Sequence, residues 1–184
     1  MIAGVLFHNS ALLPGLAMWV AYFYKGSYKL ILYVWICTIF ISIISGSSID
    51  SLFTHLNIGG DNRLEEYISH KADKGAFSHT GFRYDFLAYS SLPIIIGIYF
   101  IFKKKLFDDT YIALLTTYTI SNAFWILIIR ANYSNRFAYL SWFMMPLLIC
   151  YPFIKFKFAK NQGAITSIIL LAHIGLTIAL SNQL

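Results

Sequence analysis

Three arginines stand at the ends of long apolar stretches of the chain, accompanied by a carboxylate and a histidine. His79, Arg83 and Asp85 precede one such stretch, while Arg130 closes another and Arg136 opens the next, with five residues between them. A guanidinium offers a planar fork of donors that fits a phosphate or a carboxylate. A carboxylate or imidazole beside it can accept a proton. The pattern therefore predicts an anion-binding site with a candidate base nearby.

Arginine at the edge of an apolar span needs a polar partner. Placing it at the centre of a membrane helix costs about 2.5–3.5 kcal/mol or more, so it is normally paired or faces a polar cavity. The alternative is that each arginine snorkels to lipid headgroups. We expect a shared cavity, because three arginines, Asp85 and His79 come at comparable depth.

Histidine is the other residue type that could contribute chemistry here. His8 lies seven residues into the first apolar run, where it could face the same cavity or simply be hydrogen-bonded within a helix bundle. His173 and His55 have no assigned role. The sequence has no HExxH motif and no acidic calcium or magnesium spacing, so no metal and no cofactor is predicted.

The elements that must position these residues are membrane helices. The 184 residues are 58% hydrophobic and only 12% charged, about half the charged fraction of an ordinary soluble domain. Charge is absent from six runs of 17 to 24 residues, and about 20 apolar residues cross a bilayer as a helix. We therefore predict an all-α polytopic bundle, a single transmembrane domain over 1–184 with about six spans. The charge-free runs are 1–24, 30–49, 86–102, 111–129, 137–154 and 161–184.

The distribution of lysine predicts the orientation of this bundle. One set of connections carries eight lysines against Asp108 and Asp109, whereas the opposite set carries six basic and six acidic residues. The positive-inside rule assigns the lysine-rich side to the cytoplasm. All four arginines then lie on the outer side, which is the predicted functional face.

The largest polar segment, 50–84, is predicted to be a periplasmic loop. Its middle part, 62–74, has Leu64, Tyr67, Ile68 and Lys71 at helical spacing, which predicts a short amphipathic helix on the outer surface. This helix could act as a lid or be an ordinary solvated part of the loop.

The same residues carry a resemblance to a known family. The segment 77–87, with Thr-Gly-Phe-Arg-Tyr-Asp-Phe at 80–86, and the segment 122–142, with Asn-Arg-Phe-Ala-Tyr at 135–139, resemble the EpsG-like family of bacterial exopolysaccharide and O-antigen (Wzy-type) polymerases. The opening 6–13 resembles the histidine-containing span of that family. The match covers nearly the whole chain but corresponds to the later part of a typical member, so we expect a C-terminal portion of a longer architecture.

The resemblance implies a multi-pass protein of the bacterial inner membrane that joins polysaccharide repeat units at the periplasmic face. The substrate would be an oligosaccharide on undecaprenyl diphosphate, taken up sideways from the lipid bilayer. The diphosphate would be held by four residues, and three others are candidates for the base that deprotonates the attacking sugar hydroxyl. The residues that would hold the diphosphate are Arg83, Arg130, Asn132 and Arg136. The candidates for the base are Asp85, His79 and His8.

Other functions fit parts of the pattern. A transporter or flippase for lipid-linked sugars would also need arginines toward diphosphate, but it would place charges along a path through the bilayer. A membrane acyltransferase would need a histidine-based site and an acyl donor. An inactive truncated fragment, or an accessory subunit that pairs with a separate N-terminal half or with other polysaccharide-export proteins, is a further alternative. No nucleic-acid partner is predicted.

Overall fold

The computed structural model describes residues 12–24, 26–46, 48, 82–130, 134–158 and 160–181. Within these ranges the regular structure is all helical, as predicted. The predicted loop helix 62–74, and the residues His8, His79 and Asn132, lie outside the described residues. The helices are α1 (Leu12–Phe23), α2 (Tyr28–Ser45), α3 (Tyr84–Ile98), a π-helical turn (Tyr99–Lys103), α4 (Asp109–Leu127), α5 (Ser134–Trp142), α6 (Met145–Lys155) and α7 (Gln162–Ser181).

Four helical stretches in the described part of the chain are long and apolar enough to cross a membrane. Two more helices correspond to the remaining charge-free runs: α1 has 12 described residues, and α4 has 19 residues but is more polar. The prediction of a polytopic helical membrane bundle is therefore confirmed. The four stretches are Tyr28–Ser45, Tyr84–Lys103, Ala138–Lys155 and Gln162–Leu180.

Helix α4 lies at the centre of the bundle, where it contacts α1, α2, α3, α5 and α6. Its sequence explains this position, because it buries five small polar side chains that would be unfavourable against lipid. The large side chains of Tyr118 and Trp125 are also fully buried along it. The buried polar residues are Thr116, Thr117, Thr119, Ser121 and Asn122.

Hydrogen bonds join α2 to α4 at three successive levels. The hydroxyls of Tyr28 and Thr119 lie 2.9 Å apart, and Nε1 of Trp35 donates to Oδ1 of Asn122 at 2.8 Å. One level further on, Oγ of Ser42 donates to the carbonyl of Ile126 at 2.7 Å. The partners advance in the same direction along both helices, so α2 and α4 are parallel. The α2 residues follow at intervals of seven, which keeps them on one face of that helix.

Two helical stretches are irregular: α3 continues into the π-helical turn Tyr99–Lys103, and the stretch Ala138–Lys155 is interrupted near Pro146. The span Ala138–Lys155 is divided by turn residues Phe143 and Met144, and Pro146 lies in the first turn of the helix that follows, where proline is well tolerated. Proline lacks the N–H that a continuous helix would use. This break places the C-terminus of α5 inside the bundle, next to the buried ring of Trp142.

The lysine-bearing connections meet at one end of the bundle. Asp108 caps α4: its Oδ1 accepts from the Tyr111 N–H and the Tyr151 hydroxyl, both at 2.9 Å, and its Oδ2 accepts from the Lys155 ammonium. Desolvation raises the pKa of Asp108, but these three hydrogen bonds together outweigh it, so its pKa lies below the usual value. The Lys29 ammonium stands 5.8 Å from the Phe102 ring centroid. The first turn of α2 and the ends of α3 and α6 therefore share this end.

Candidate functional site

The opposite end of the bundle holds an arginine–aspartate pair at the start of α3. Nε of Arg83 donates to Oδ1 of Asp85 at 3.0 Å, and Nη2 donates to Oδ2 at 2.6 Å. Asp85 lies in the first turn of α3, where the helix dipole favours a negative charge. Both side chains are partly buried. The two parallel contacts fix the plane of the guanidinium, which a single point contact would not do.

An aromatic ring also contacts the guanidinium of Arg83. Cζ of Arg83 lies 3.8 Å from the centroid of the Phe86 ring, and this ring is fully buried. A cation held against an aromatic face is attracted to the ring's negative charge distribution, more so where water is excluded. Arg83 is thus positioned by a carboxylate and by a ring of the same helix.

Arg130 binds the C-terminal end of α2. Its Nη1 donates to the carbonyl of Ser42 and, at 3.2 Å, to the carbonyl of Gly46. Gly46 ends α2 with φ +58°, a backbone conformation that other residues rarely adopt. Carbonyls at a helix C-terminus lack intrahelical partners and carry partial negative charge, so they attract a cation. The guanidinium of Arg130 also stacks over Phe82, 5.2 Å from the ring centroid.

The structure therefore brings Arg83, Asp85 and Arg130 to the same end of the bundle. Phe82 connects them, because it contacts Arg130 and directly precedes Arg83. The pair with Asp85 uses Nε and Nη2 of Arg83, so Nη1 lies outside that ion pair. Arg136 lies in the first turn of α5, but the structure describes only its backbone. His8, His79 and Asn132 lie outside the described residues.

Phe82 and Phe86 are contact residues that sequence reasoning did not select. Both belong to the Phe-Arg-Tyr-Asp-Phe segment 82–86, so the signal was the aromatic residue on each side of Arg83 and Asp85. Each ring now faces one guanidinium. The described residues contain no group of three or more histidine, cysteine, aspartate or glutamate side chains placed to hold a metal.

The arrangement is suited to an anion rather than to a cation. Two guanidinium groups and the first turn of α3 lie at one end, and the carboxylate present there is neutralised by Arg83. A carboxylate in such an ion pair is a weaker base than a free one. Asp85 therefore first orients Arg83, and proton abstraction by Asp85 would require the pair to open.

In a comparison with protein families, the model of the EpsG family matches residues 1–182 of the chain. Searches of curated proteins and of solved structures gave no match.

Proposed function

The chain belongs to the EpsG family and has several apolar helices, as a multi-pass membrane protein does, and we propose that it polymerises polysaccharide repeat units. The substrates are oligosaccharides carried on undecaprenyl diphosphate in the bacterial inner membrane. The reaction takes place at the periplasmic face. The observation that carries this proposal is the guanidinium of Arg83, fixed by Asp85 and Phe86 at the bundle end opposite the lysines.

In this reaction, a sugar hydroxyl of one lipid-linked chain attacks the anomeric carbon of another. The bond from that carbon to the phosphate oxygen breaks, a glycosidic bond forms, and undecaprenyl diphosphate leaves. The hydroxyl proton passes to a base, for which Asp85, His79 and His8 are the candidates. Cations that stabilise the departing diphosphate lower the barrier most when they are already oriented.

The residues proposed to hold the diphosphate are Arg83, Arg130, Arg136 and Asn132. Arg83 contributes through Nη1, the guanidinium nitrogen that the pair with Asp85 does not use. Arg130 contributes mainly positive potential, because Nη1 already binds the carbonyls of α2. Arg136 and Asn132 come from the short connection between α4 and α5 and the first turn of α5.

The proposal is tested by polysaccharide chain length in a host whose own polymerase gene is deleted. The native gene is compared with Arg83→Lys and with the control Lys104→Arg, which exchanges the charged group on the lysine side, at equal membrane abundance. Native and control genes should restore long chains. Arg83→Lys should leave mainly single repeat units, because lysine cannot make the two parallel contacts to Asp85. Long chains in the Arg83→Lys strain would remove this arginine from the proposed site.

A further inference from the structure

Six aromatic rings contact one another in a continuous cluster that begins at Phe86, the ring beside Arg83. We call it the Trp142 cluster. Trp142 is its centre, with ring centroids 5.1 Å from Tyr89, 5.3 Å from Phe86, 5.6 Å from Trp125 and 5.8 Å from Tyr139. The sixth ring, His173 of α7, stacks on Tyr89 at 5.6 Å with an angle of 8° between the planes. The cluster therefore joins α3, α4, α5 and α7.

Three buried nitrogen atoms of this cluster have no hydrogen-bond partner among the described residues: Nε1 of Trp125, Nε1 of Trp142 and Nδ1 of His173. The residues are only 0%, 8% and 9% exposed, respectively. Indole Nε1 is a donor only, so its missing partner must be an acceptor, such as a hydroxyl or water oxygen. A buried polar group without a partner is costly in an apolar environment. By contrast, the Tyr89 hydroxyl in the same cluster is paired with Oγ1 of Thr177 at 2.7 Å.

The cluster is continuous with the arginine site. The Phe86 ring contacts the guanidinium of Arg83 on one side and the Trp142 ring on the other. Tyr139 provides the edge of the cluster toward the exterior, since it is 51% exposed and stands edge-on to Trp142. Access to the Trp142 ring from this side would require the Tyr139 side chain to rotate. A ligand whose charged group binds Arg83 would thus place its neighbouring part at the Trp142 cluster.

We propose that the Trp142 cluster binds a sugar ring of the substrate glycan, with the indole N–H groups donating to its hydroxyls. Its six side chains carry no fixed charge, which excludes a second diphosphate position. A polyprenyl chain would leave the three nitrogen atoms without partners. A hydroxyl-bearing ring supplies acceptors at its edge and C–H surface for the aromatic faces, as expected for an apolar site with a few placed polar groups. The identity of this sugar as part of the substrate rests on the proposed function.

The test is saccharide binding to the whole purified protein, kept in a detergent without a sugar headgroup. The probe is the repeat-unit oligosaccharide released by mild acid from the host's lipid carrier, and ligand-observed saturation-transfer NMR gives its Kd. Trp142→Phe keeps an aromatic ring but removes the donor, and it should raise the Kd about tenfold, as expected for one lost hydrogen bond and poorer ring contact. Trp19→Phe is the matched control, since Trp19 is 54% exposed on α1, and its Kd should stay within about twofold of native.

A second variant guards against misfolding, because Trp142 contacts four rings. Trp125→Phe removes the other indole donor, and both variants are compared with native protein in membrane abundance and thermal unfolding. Equal Kd values for native protein and both folded cluster variants would overturn the proposal and assign water to the three nitrogen atoms. Absence of saturable binding to native protein would overturn it as well.

The proposal and the polymerase function fail separately. Binding that depends on Trp142, in a protein that forms no polymer, supports the sugar site and contradicts the polymerase reaction. Polymer formation with the same oligosaccharide KM in native protein and Trp142→Phe contradicts the sugar site and leaves the polymerase reaction standing.

Discussion

At the scale of single residues, Arg83 and Arg130 have different surroundings although both lie at one end of the bundle. Arg83 is oriented by a carboxylate and a ring, and Nη1 lies outside that ion pair. Arg130 donates to carbonyls of α2, which belongs to a different part of the chain. We therefore expect Arg83 to matter chiefly for activity and Arg130 for stability as well.

Arg130→Lys should lower the free energy of unfolding by about 0.5–2 kcal/mol, because the ammonium loses the planar face that the guanidinium presents to Phe82 and has a different reach toward the two carbonyls of α2. Thermal unfolding in detergent measures this effect. The control variant is Lys157→Arg, at an exposed position at the lysine end of the bundle. Its unfolding temperature should equal that of native protein. An Arg130→Lys protein as stable as native would show that the contact with α2 contributes no net stability.

The sequence was sufficient to place Arg83, Asp85 and Arg130 at one end, because each borders a charge-free run and the runs alternate in direction. It did not reveal the contact of Arg130 with Ser42 and Gly46, which are separated from it by more than 80 positions. Local spacing carries no information about such a contact. The roles of His8, His79, Asn132 and Arg136 remain predictions.

At the scale of helices, α4 organises the bundle. Absence of charge predicted this helix as a span, but its central position depends on threonine, serine and asparagine side chains that pair with α2. Absence of charge alone did not distinguish it from α7, which is mostly exposed and belongs to the charge-free run 161–184, longer than the run 111–129 of α4. The polar content of α4 was the available signal, since such residues mark contacts between membrane helices.

Helix α3 packs tightly against α4 at Gly97. A Cβ atom built there would lie 2.3 Å from Cδ2 of Leu115, whose side chain is fully buried. Gly97→Ala should therefore destabilise the protein by about 1–3 kcal/mol through overpacking. Unfolding by a denaturing detergent in mixed micelles measures the loss.

The control is Gly175→Ala in α7, where a Cβ atom would have no neighbour within 4 Å. Alanine is the better helix former, so this variant should be equal to native or about 0.5–1 kcal/mol more stable. Adding Leu115→Ala to Gly97→Ala should relieve the clash, so the double variant should lose less than the two single losses combined. Additive losses would show that Leu115 does not limit the approach of α3.

At the scale of the whole molecule, the two ends of the bundle differ in charge. The sequence predicted this difference from lysine and arginine counts, and the contacts of Lys29, Asp108 and Lys155 place the lysine connections together. The membrane orientation follows from the positive-inside rule alone. It therefore needs its own experiment.

Cysteine labelling tests that orientation. In a background with Cys37→Ala and Cys150→Ala, the variant Ser48→Cys should react with a membrane-impermeant maleimide in intact spheroplasts. Lys104→Cys should react only after the membrane is opened. Both positions are exposed at opposite ends of the bundle, so access to the thiol is comparable. The reverse labelling pattern would place the arginine end in the cytoplasm.

The most direct test of the central claim is polymerisation by the purified chain in lipid vesicles supplied with undecaprenyl-diphosphate-linked repeat units and no other protein. Native protein should convert them into a ladder of lengthened lipid-linked chains, releasing one undecaprenyl diphosphate for each bond formed. Arg83→Lys, at equal reconstitution and equal thermal stability, should lower the initial rate at least about tenfold, one lost transition-state contact being worth roughly 1.4 kcal/mol. Native protein that consumes no substrate, or an Arg83→Lys rate equal to native, would contradict the claim that this end of the bundle is the polymerisation site.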